Sequence, residues 1–410
     1  LKLPEKKEYP PLSEIEDPIK REEEKLKRKE EIKLWRTEVE KVRAKQQPSG
    51  VERAFIRPFL LLQRARVTYD ESYTTALPGF MGISKYLGQD YSGTATNPGA
   101  KPGWDFIAGW QPDRAWLDNA ANSGWITTNI YQNKPVIQTH TLSYSAKVTL
   151  EIFSGFKIDV DLDKSVTDNY QELFKVEDQL SNNQFSHLNG LMQGTMKMTY
   201  LPLGSFFDSE GTKGLNSSVN FERFEENRLI ISQRKGIGQH DDPETNPGFT
   251  EGYGRYQQDV LIPAFLAAYT GRSAESVDLG DIRNATPMPN WKLTYSGLNK
   301  IKGLDKIFSS FTLTHGYQST LTVSTFTTDL DYAATLGVNG TDGKNINSMD
   351  YYTSFEIPNL IISEAFNPLI GLDMRFKNDL SLRFEYKTSR NLAMSFIDYQ
   401  LSEQNSTDVV

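Results

Sequence analysis

The sequence predicts a mainly β protein: a segment of a transmembrane antiparallel β-barrel, with long loops, short helical inserts and a charged helical N-terminal segment. First, apolar and polar residues alternate over runs about as long as a membrane-crossing strand, which is typical of barrels with a lipid face and a wet lumen. Second, turn residues separate these runs. Third, the sequence has no stretch of about 18 apolar residues, which excludes a transmembrane helix and leaves strands to span a bilayer.

Residues 1–50 are predicted to form a charged helical segment outside the bilayer. Between Ser13 and Lys45, mixed charges accompany a thin apolar stripe at helical spacing that includes Leu26 and Leu34. Such a charge run is typical of a solvated helix, and docking to a partner is the alternative. Residues 51–410 are predicted to form the barrel wall, with large inserts at about 70–139 and about 202–289.

The wall is predicted from alternating runs separated by turns. These strand candidates lie at about 55–69, 140–153, 156–167, 189–201, 290–297, 307–327, 350–363, 369–377, 379–388 and 391–402. One hairpin turns at Ser154-Gly155, and a second turns at Asn378-Asp379. A β-sandwich would also alternate, but it buries one face against a second sheet and rarely needs strands this long, so the barrel is favoured.

Charged residues on the polar side of these hairpins are the candidates for a lumen-facing surface. Because residues two apart on a strand share a face, each set lies opposite an apolar set. The candidates are Lys157, Asp159, Asp161, Asp373, Arg375, Lys377, Arg383 and Glu385. The carboxylates among them also resemble a paired acid–base site, but period-two spacing explains them as lumen or solvent residues.

The insert at about 70–139 is rich in tryptophan, glycine and proline. It contains Trp104, Trp110, Trp116 and Trp125, four of the six tryptophans in the chain. We predict that these side chains form a cap or constriction in a pore. A loop packed on itself and a belt of interfacial tryptophans are the alternatives.

The insert at about 202–289 is predicted to contain two helices. Asn220 would cap the first, and Asp259 would cap the second, which ends at Gly271. An insert of this length is usually functional.

The residue types of catalytic and metal sites are scarce, so we do not expect an enzyme or a cofactor. The chain has no cysteine, which excludes disulfides, thiolate metal sites and cysteine nucleophiles. The His240-Asp241-Asp242 run is the only cluster with metal-ligand residue types, and no further ligand is placed beside it.

The net charge and the first residue of the chain give two further expectations. A net charge of -8 argues against nucleic acid as the main partner. The chain begins at Leu1 without a signal-peptide pattern, so we expect an internal piece of a longer protein.

Several segments in one order resemble a known family. They are LPGFMGISKYLGQDYSG at 77–93, PGWDFIAGWQPD at 102–113, WLDNAANSGWIT at 116–127, YQQDVLIPAFLAAYTG at 256–271 and LRFEYKTSRNLAMSF at 382–396. Together these segments resemble the SprA/Sov family, the outer-membrane translocons of the type IX secretion system of Bacteroidetes. The N-terminal 45 residues contribute least to this resemblance.

The resemblance implies a very large single-chain barrel in the outer membrane, through which folded proteins pass from the periplasm to the cell surface. It also implies a link to gliding motility and a set of partners. These are secreted cargo proteins with a C-terminal targeting domain, a plug protein, a PorV-like outer-membrane shuttle barrel, a periplasmic prolyl isomerase and, indirectly, an inner-membrane motor.

Two other functions stay open. A TonB-dependent outer-membrane receptor would share the strands and long loops, and it would also need a plug domain and an energy-coupling box. A secreted glycan-binding β-sandwich would use surface tryptophans as sugar platforms.

Overall fold

The computed structural model describes residues 7, 9–11, 17–45, 61–92, 100–178, 184–207, 218–236, 246–335 and 343–410. The chain divides into two compact units, Leu1–Gln63 and Arg64–Val410. In the first unit, helix α1 spans Pro18–Lys45 and exposes most of its described side chains. The Tyr9 hydroxyl donates a hydrogen bond to Glu31 at 2.8 Å, which ties the preceding segment to the helix.

The protein is mainly β, and its described strands form one antiparallel sheet of ten strands. The strands are β1 Leu62–Ala76, β2 Val136–Phe153, β3 Phe156–Val176, β4 Phe185–Thr199, β5 Asn290–Tyr295, β6 Phe308–Thr328, β7 Phe355–Glu356, β8 Asn359–Phe376, β9 Ser381–Ser395 and β10 Leu401–Val409. Their order across the sheet is β1-β2-β3-β4-β6-β8-β9-β10, while β5 pairs with β3 and β6, and β7 pairs with β6.

Strands β4 and β5 occupy one position in the sheet, end to end. On β6, Thr199 pairs with Thr320 and Trp291 pairs with Tyr317, so β5 continues the line of β4 between β3 and β6. The backbone N–H of Met288 donates to the carbonyl of Thr199 at 3.0 Å. The chain therefore leaves the sheet in the middle of a strand line, forms an insert, and returns beside its point of departure.

The remaining helices lie in the connections. They are α2 Trp104–Ile107, α3 Arg114–Asn122, α4 Val219–Lys235, α5 Gln258–Thr270 and α6 Leu330–Thr335. Helices α4 and α5 form the helical insert, and Phe224 packs edge to face on Phe265 with 6.5 Å between ring centroids. Helix α5 is apolar on all sides because it is enclosed in the hydrophobic core between α4 and the sheet.

The predicted caps of these helices were wrong by two residues. The Ser218 hydroxyl accepts from the N–H of Phe221, and the Gln257 side chain accepts from the N–H of Val260. Each side chain takes up an otherwise unpaired N–H of the first helical turn. Helix α5 ends at Gly271, as predicted, and this glycine adopts the left-handed conformation.

Several predicted strand boundaries were wrong. The run at 379–388 and the start of the run at 391–402 form one strand, β9, and the separate strand β10 begins at Leu401. The runs at 350–363 and 369–377 contribute to a single strand, β8, which passes through Pro368 at a register shift between Phe366 and Ile370. An irregularity of this kind accommodates a residue that cannot donate to the ladder. No helix among the described residues is long and apolar enough to cross a membrane.

Candidate functional site

The strand register divides the sheet into two faces of different chemistry. Directly paired residues of antiparallel strands share a face. Across the sheet, Lys157 pairs with Thr294, Thr294 with Thr314, Thr314 with Gly371, and Gly371 with Glu385. We call the face that carries these residues the polar face.

The predicted lumen-facing residues lie together on the polar face, apart from one. Lys157, Asp159 and Asp161 follow one another on β3, and Asp373 on β8 pairs with Arg383 on β9. Arg375 and Glu385 lie two residues from these partners and share their face. Lys377 lies beyond the end of β8, in the turn to β9, so strand pairing does not assign it to either face of the sheet.

The polar face carries both signs of charge in close proximity. Glu385 forms ion pairs with Arg383 and, at 2.7 Å, with Lys387. The Thr149 hydroxyl donates to Asp159 at 2.6 Å. Because charges of opposite sign lie side by side, this face carries no extended field of a single sign.

The opposite face, which we call the apolar face, carries an exposed hydrophobic band over one half of the sheet. The Leu382 and Ile370 side chains are 51% and 48% exposed. The band continues across the strands through Val148, Leu150, Ile158, Val160, Leu293, Leu313, Leu372, Met374 and Phe384. An exposed apolar patch of this extent marks a surface that meets lipid or another apolar partner.

Two rows of aromatic side chains border this band. The first row lies beside the short turns and contains Phe153, Phe156, Tyr295, Phe308, Phe311 and Phe376, with 4.7 Å between the centroids of Phe308 and Phe376. The second row contains Phe206, Phe207, Trp291, Tyr317 and Phe366, with 4.7 Å between Trp291 and Tyr317.

On β6 and β8 the distance between the two rows matches the length of a membrane-crossing strand, whereas on β5 Trp291 and Tyr295 lie four residues apart. On β6 the rows lie at Phe308 and Tyr317, and on β8 they lie at Phe366 and Phe376. Each interval is about ten residues, the length that a tilted strand needs to cross the hydrocarbon core. Aromatic girdles at both edges of an apolar band are characteristic of outer-membrane barrels.

Beyond the second row, the helical insert covers the same face. Val166 lies an even number of residues from Val160 on β3 and is buried under the insert. The other sheet residues of this core include Met196, Met198, Leu321, Val323, Leu360, Ile362, Leu392 and Met394. The strands therefore extend beyond the apolar band, and the helical insert covers their apolar side there.

A buried polar group joins the helical insert to the sheet. Arg390 on β9 forms an ion pair with Glu364 on β8, and it donates to the carbonyl oxygen of Ser205 at 2.7 Å and to its hydroxyl at 2.8 Å. The Tyr317 hydroxyl donates to Glu364 at 3.0 Å. The guanidinium nitrogens of Arg390 and the carboxylate oxygens of Glu364 thus all have hydrogen-bond partners. Such pairing offsets the cost of burying the two charges.

Residues 77–92 and 100–135 form a second cover, which we call the tryptophan module. Trp116 contacts Trp125 edge to face at 6.1 Å and stacks on Phe106 at 5.6 Å. The small core beneath them contains Leu117, Ala120, Ala121, Ile126, Val136 and Phe174. Of the predicted pore-loop tryptophans, Trp116 and Trp125 therefore pack inside the module.

The module is fixed to the sheet by polar contacts. Arg114 pairs with the buried carboxylate of Glu172 at 3.1 Å, and Asp118 contacts His187 at 3.1 Å. Phe174 and Glu172 have the same parity on β3 as Val166, so the module lies on the apolar face, as the helical insert does. Trp104 and Trp110 remain 54% and 48% exposed on its surface.

The two ends of the sheet carry different connections. Ser154-Gly155 joins β2 to β3, and residues 377–380 join β8 to β9, both as tight turns. The tryptophan module and the connection at 329–358 lie at the opposite end. Outer-membrane barrels have short turns on the periplasmic side and long loops on the outer side.

No group of His, Cys, Asp or Glu among the described residues could hold a metal ion. The His240-Asp241-Asp242 run lies outside the described residues. His140 instead contacts Glu71 at 2.9 Å, and His187 contacts Glu172 at 3.1 Å, as parts of polar contacts between strands and module.

The sequence did not predict Arg390, Glu364 or Ser205 as a connected group. Arg390 and Glu364 both lie at apolar-face positions of their strands, where a charge interrupts the alternation, and this interruption was the available signal. Ser205 gave no signal, because only the folded insert places it over the sheet.

Comparison with protein-family models finds none that matches the chain, and comparison with curated proteins finds no match either.

Proposed function

We propose that this chain forms part of the wall of a protein-conducting channel in the outer membrane, that of the type IX secretion system. The observation that carries the membrane part of the proposal is the apolar band, which on β6 and β8 lies between aromatic residues about ten positions apart. Opposite the band, the other face carries mainly polar and charged residues, as the lining of a water-filled lumen requires. In this arrangement Lys157, Asp159, Arg375 and Glu385 line the pore.

The proposed role of the wall is to give the pore a hydrated lining to which passing proteins do not adhere. A folded passenger protein would adhere to an apolar lining, whereas a face of closely spaced opposite charges offers it neither a hydrophobic patch nor a strong field. The helical insert and the tryptophan module lie on the apolar face, so they would stand above the outer leaflet on the outside of the wall. Cargo with a C-terminal targeting domain, the plug, the shuttle barrel and the prolyl isomerase are the proposed partners.

The assignment to type IX secretion rests on the five sequence segments that resemble the SprA/Sov family. A TonB-dependent receptor would share the band and the aromatic rows, but not those segments. The glycan-binding sandwich is disfavoured because the described strands form one sheet, and no second sheet of described strands packs on its apolar face.

Neighbouring residues on opposite faces give the test. In the complete protein, Leu372→Arg places a charge in the apolar band and should reduce outer-membrane assembly, since such a charge costs about 2–4 kcal/mol at the bilayer midplane. Thr312→Arg introduces the same side chain with the same change of charge on the polar face, opposite Asp373, and should assemble normally. Assembly is measured as protein retained in carbonate-washed outer membranes.

Equal retention of the two variants would contradict the wall assignment. The secretion assignment is tested separately by deleting the gene and measuring cargo with a C-terminal targeting domain in the periplasm. Cargo that still reaches the cell surface at the normal level would remove the secretion function and leave the membrane wall in place.

A further inference from the structure

The connection between β5 and β6, residues 296–307, carries an isolated positive patch at the short-turn end of the sheet. We call it the lysine loop. Lys300, Lys302 and Lys306 are exposed, and none of them forms an ion pair with a described carboxylate. The acidic Asp305 beside them binds the N–H of Gly303 at 2.8 Å. In a chain with a net charge of -8, this is a local reversal of sign.

The lysine loop is fixed against both neighbouring turns. The N–H of Ser296 donates to the carbonyl of Gly155 at 2.9 Å, and the N–H of Lys377 donates to the carbonyl of Ile307 at 3.0 Å. Three connections therefore form one continuous surface at this end, and Lys377 adds a further exposed positive charge to it.

The loop also continues the apolar band. Ile301 and Ile307 are 47% and 49% exposed, and Phe308 of the first aromatic row follows directly. At a bilayer surface, the hydrocarbon is followed by an interface rich in aromatic side chains and then by the charged headgroups. The exposed isoleucines, the aromatic row and the lysines at this end of the sheet are the residue types that suit these three layers. Lysine side chains lay their methylene groups along apolar surface and place the ammonium group among the lipid headgroups.

The geometry points to a binding surface for anionic phospholipid headgroups at the lysine loop. This inference rests on the proposed membrane wall and adds a ligand to it. The ligand chemistry is a phosphate diester held at the depth of the first aromatic row, where several basic residues act together on a negatively charged leaflet. A neutral headgroup would gain nothing from these lysines, so the surface should select lipids by charge.

The absence of cysteine in this chain allows a site-specific measurement. In the complete protein, with any other cysteine replaced, Ser154→Cys in the adjacent turn is labelled with a fluorophore. The protein is reconstituted in phosphatidylcholine vesicles that contain equal small amounts of brominated phosphatidylglycerol or brominated phosphatidylcholine. Fluorescence quenching then reports which lipid is enriched beside the loop.

The expected result is stronger quenching by brominated phosphatidylglycerol, with a local enrichment of about fivefold or more. The triple variant Lys300→Gln, Lys302→Gln, Lys306→Gln should quench equally with both lipids. The matched variant Lys147→Gln, Lys197→Gln, Lys292→Gln removes the same charge from the polar face away from the labelled turn and should keep the preference.

Three results would overturn the inference. The first is equal quenching by the two lipids in the unmodified protein. The second is an equal loss of the lipid preference in both triple variants. The third is loss of the preference in millimolar inorganic phosphate, which would indicate a site for free phosphate. If the protein stays in carbonate-washed membranes, each of these results leaves the proposal of a membrane wall unaffected. Extraction by carbonate would instead refute the wall, and the inference with it.

Discussion

Arg390 on β9 and Glu364 on β8 are direct cross-strand partners, and their side chains are 2% and 0% exposed. They lie on the apolar face, where the alternation calls for hydrophobic residues. Ser205 of the helical insert closes the group from above through two hydrogen bonds from Arg390. Because a buried ion pair accepts few geometries, we propose that this pair holds the insert on the sheet in one arrangement.

The first prediction concerns the loss of one member of the pair. Arg390→Leu leaves the Glu364 carboxylate buried without its cation, which should destabilise the insert by about 3–5 kcal/mol. The insert should become sensitive to protease in outer-membrane preparations, with cleavage between residues 200 and 289. Cleavage sites are identified by mass spectrometry of the fragments.

The double variant Glu364→Leu, Arg390→Leu is the control. It removes both charges, so it should be cut less readily than the single variant. If both variants were cut at the same rate, the ion pair would have no specific part in holding the insert.

The sequence predicted the two-faced strands because alternation depends only on neighbouring residues. Ile158 and Val160 opposite Lys157 and Asp159 are visible without any knowledge of the fold. The register confirmed that β3 and β8 continue such alternation across one antiparallel sheet.

Relations between distant residues could not be predicted in the same way. The collinear arrangement of β4 and β5 depends on pairing across the insert, with Thr199 and Trp291 facing nearby residues of β6. The second aromatic row has the same origin, because Phe206 reaches Phe366 only when the insert folds back onto β8. Long-range contacts of this kind leave no periodic signal in one sequence.

The second prediction separates the packed tryptophans from the exposed ones. Trp116→Ala removes contacts to both Phe106 and Trp125 and should destabilise the tryptophan module by about 2–4 kcal/mol, since the side chain is only partly buried. Trp110→Ala, at a side chain that is 48% exposed, should change stability by less than about 1 kcal/mol. Thermal unfolding followed by tryptophan fluorescence measures both.

The two tryptophan variants also distinguish packing from a pore function. If Trp110→Ala impaired transport without loss of stability, the exposed tryptophans would act at the opening. Equal destabilisation by both variants would contradict the packing described for the module.

The third prediction is a pH dependence within the tryptophan module. The hydroxyl and N–H of Ser92 and the N–H of Ile83 donate to the Asp90 carboxylate, at 2.5, 2.9 and 3.0 Å. The Ser92 hydroxyl, followed by these N–H groups, lowers the pKa of Asp90 to about 2. Because the folded pKa lies below the ordinary value of about 3.9, the contribution of Asp90 to stability is complete above pH 4 and is lost as the pH falls towards 2.

Hydrogen exchange at the Ile83 and Ser92 amides measures this effect, with protection expressed relative to the intrinsic rate at each pH. Protection should be constant from pH 7 to about 4 and should fall between about pH 4 and 2, as the acceptor is protonated. Asp90→Asn keeps an acceptor oxygen but loses the charge. In this variant, protection of the Ile83 and Ser92 amides should be lower at pH 7 than in the unmodified protein and should not change down to pH 2. Protection that fell in parallel in both proteins would assign the acid sensitivity to another carboxyl group, and the Asp90 contacts would then be incidental to the fold of the module.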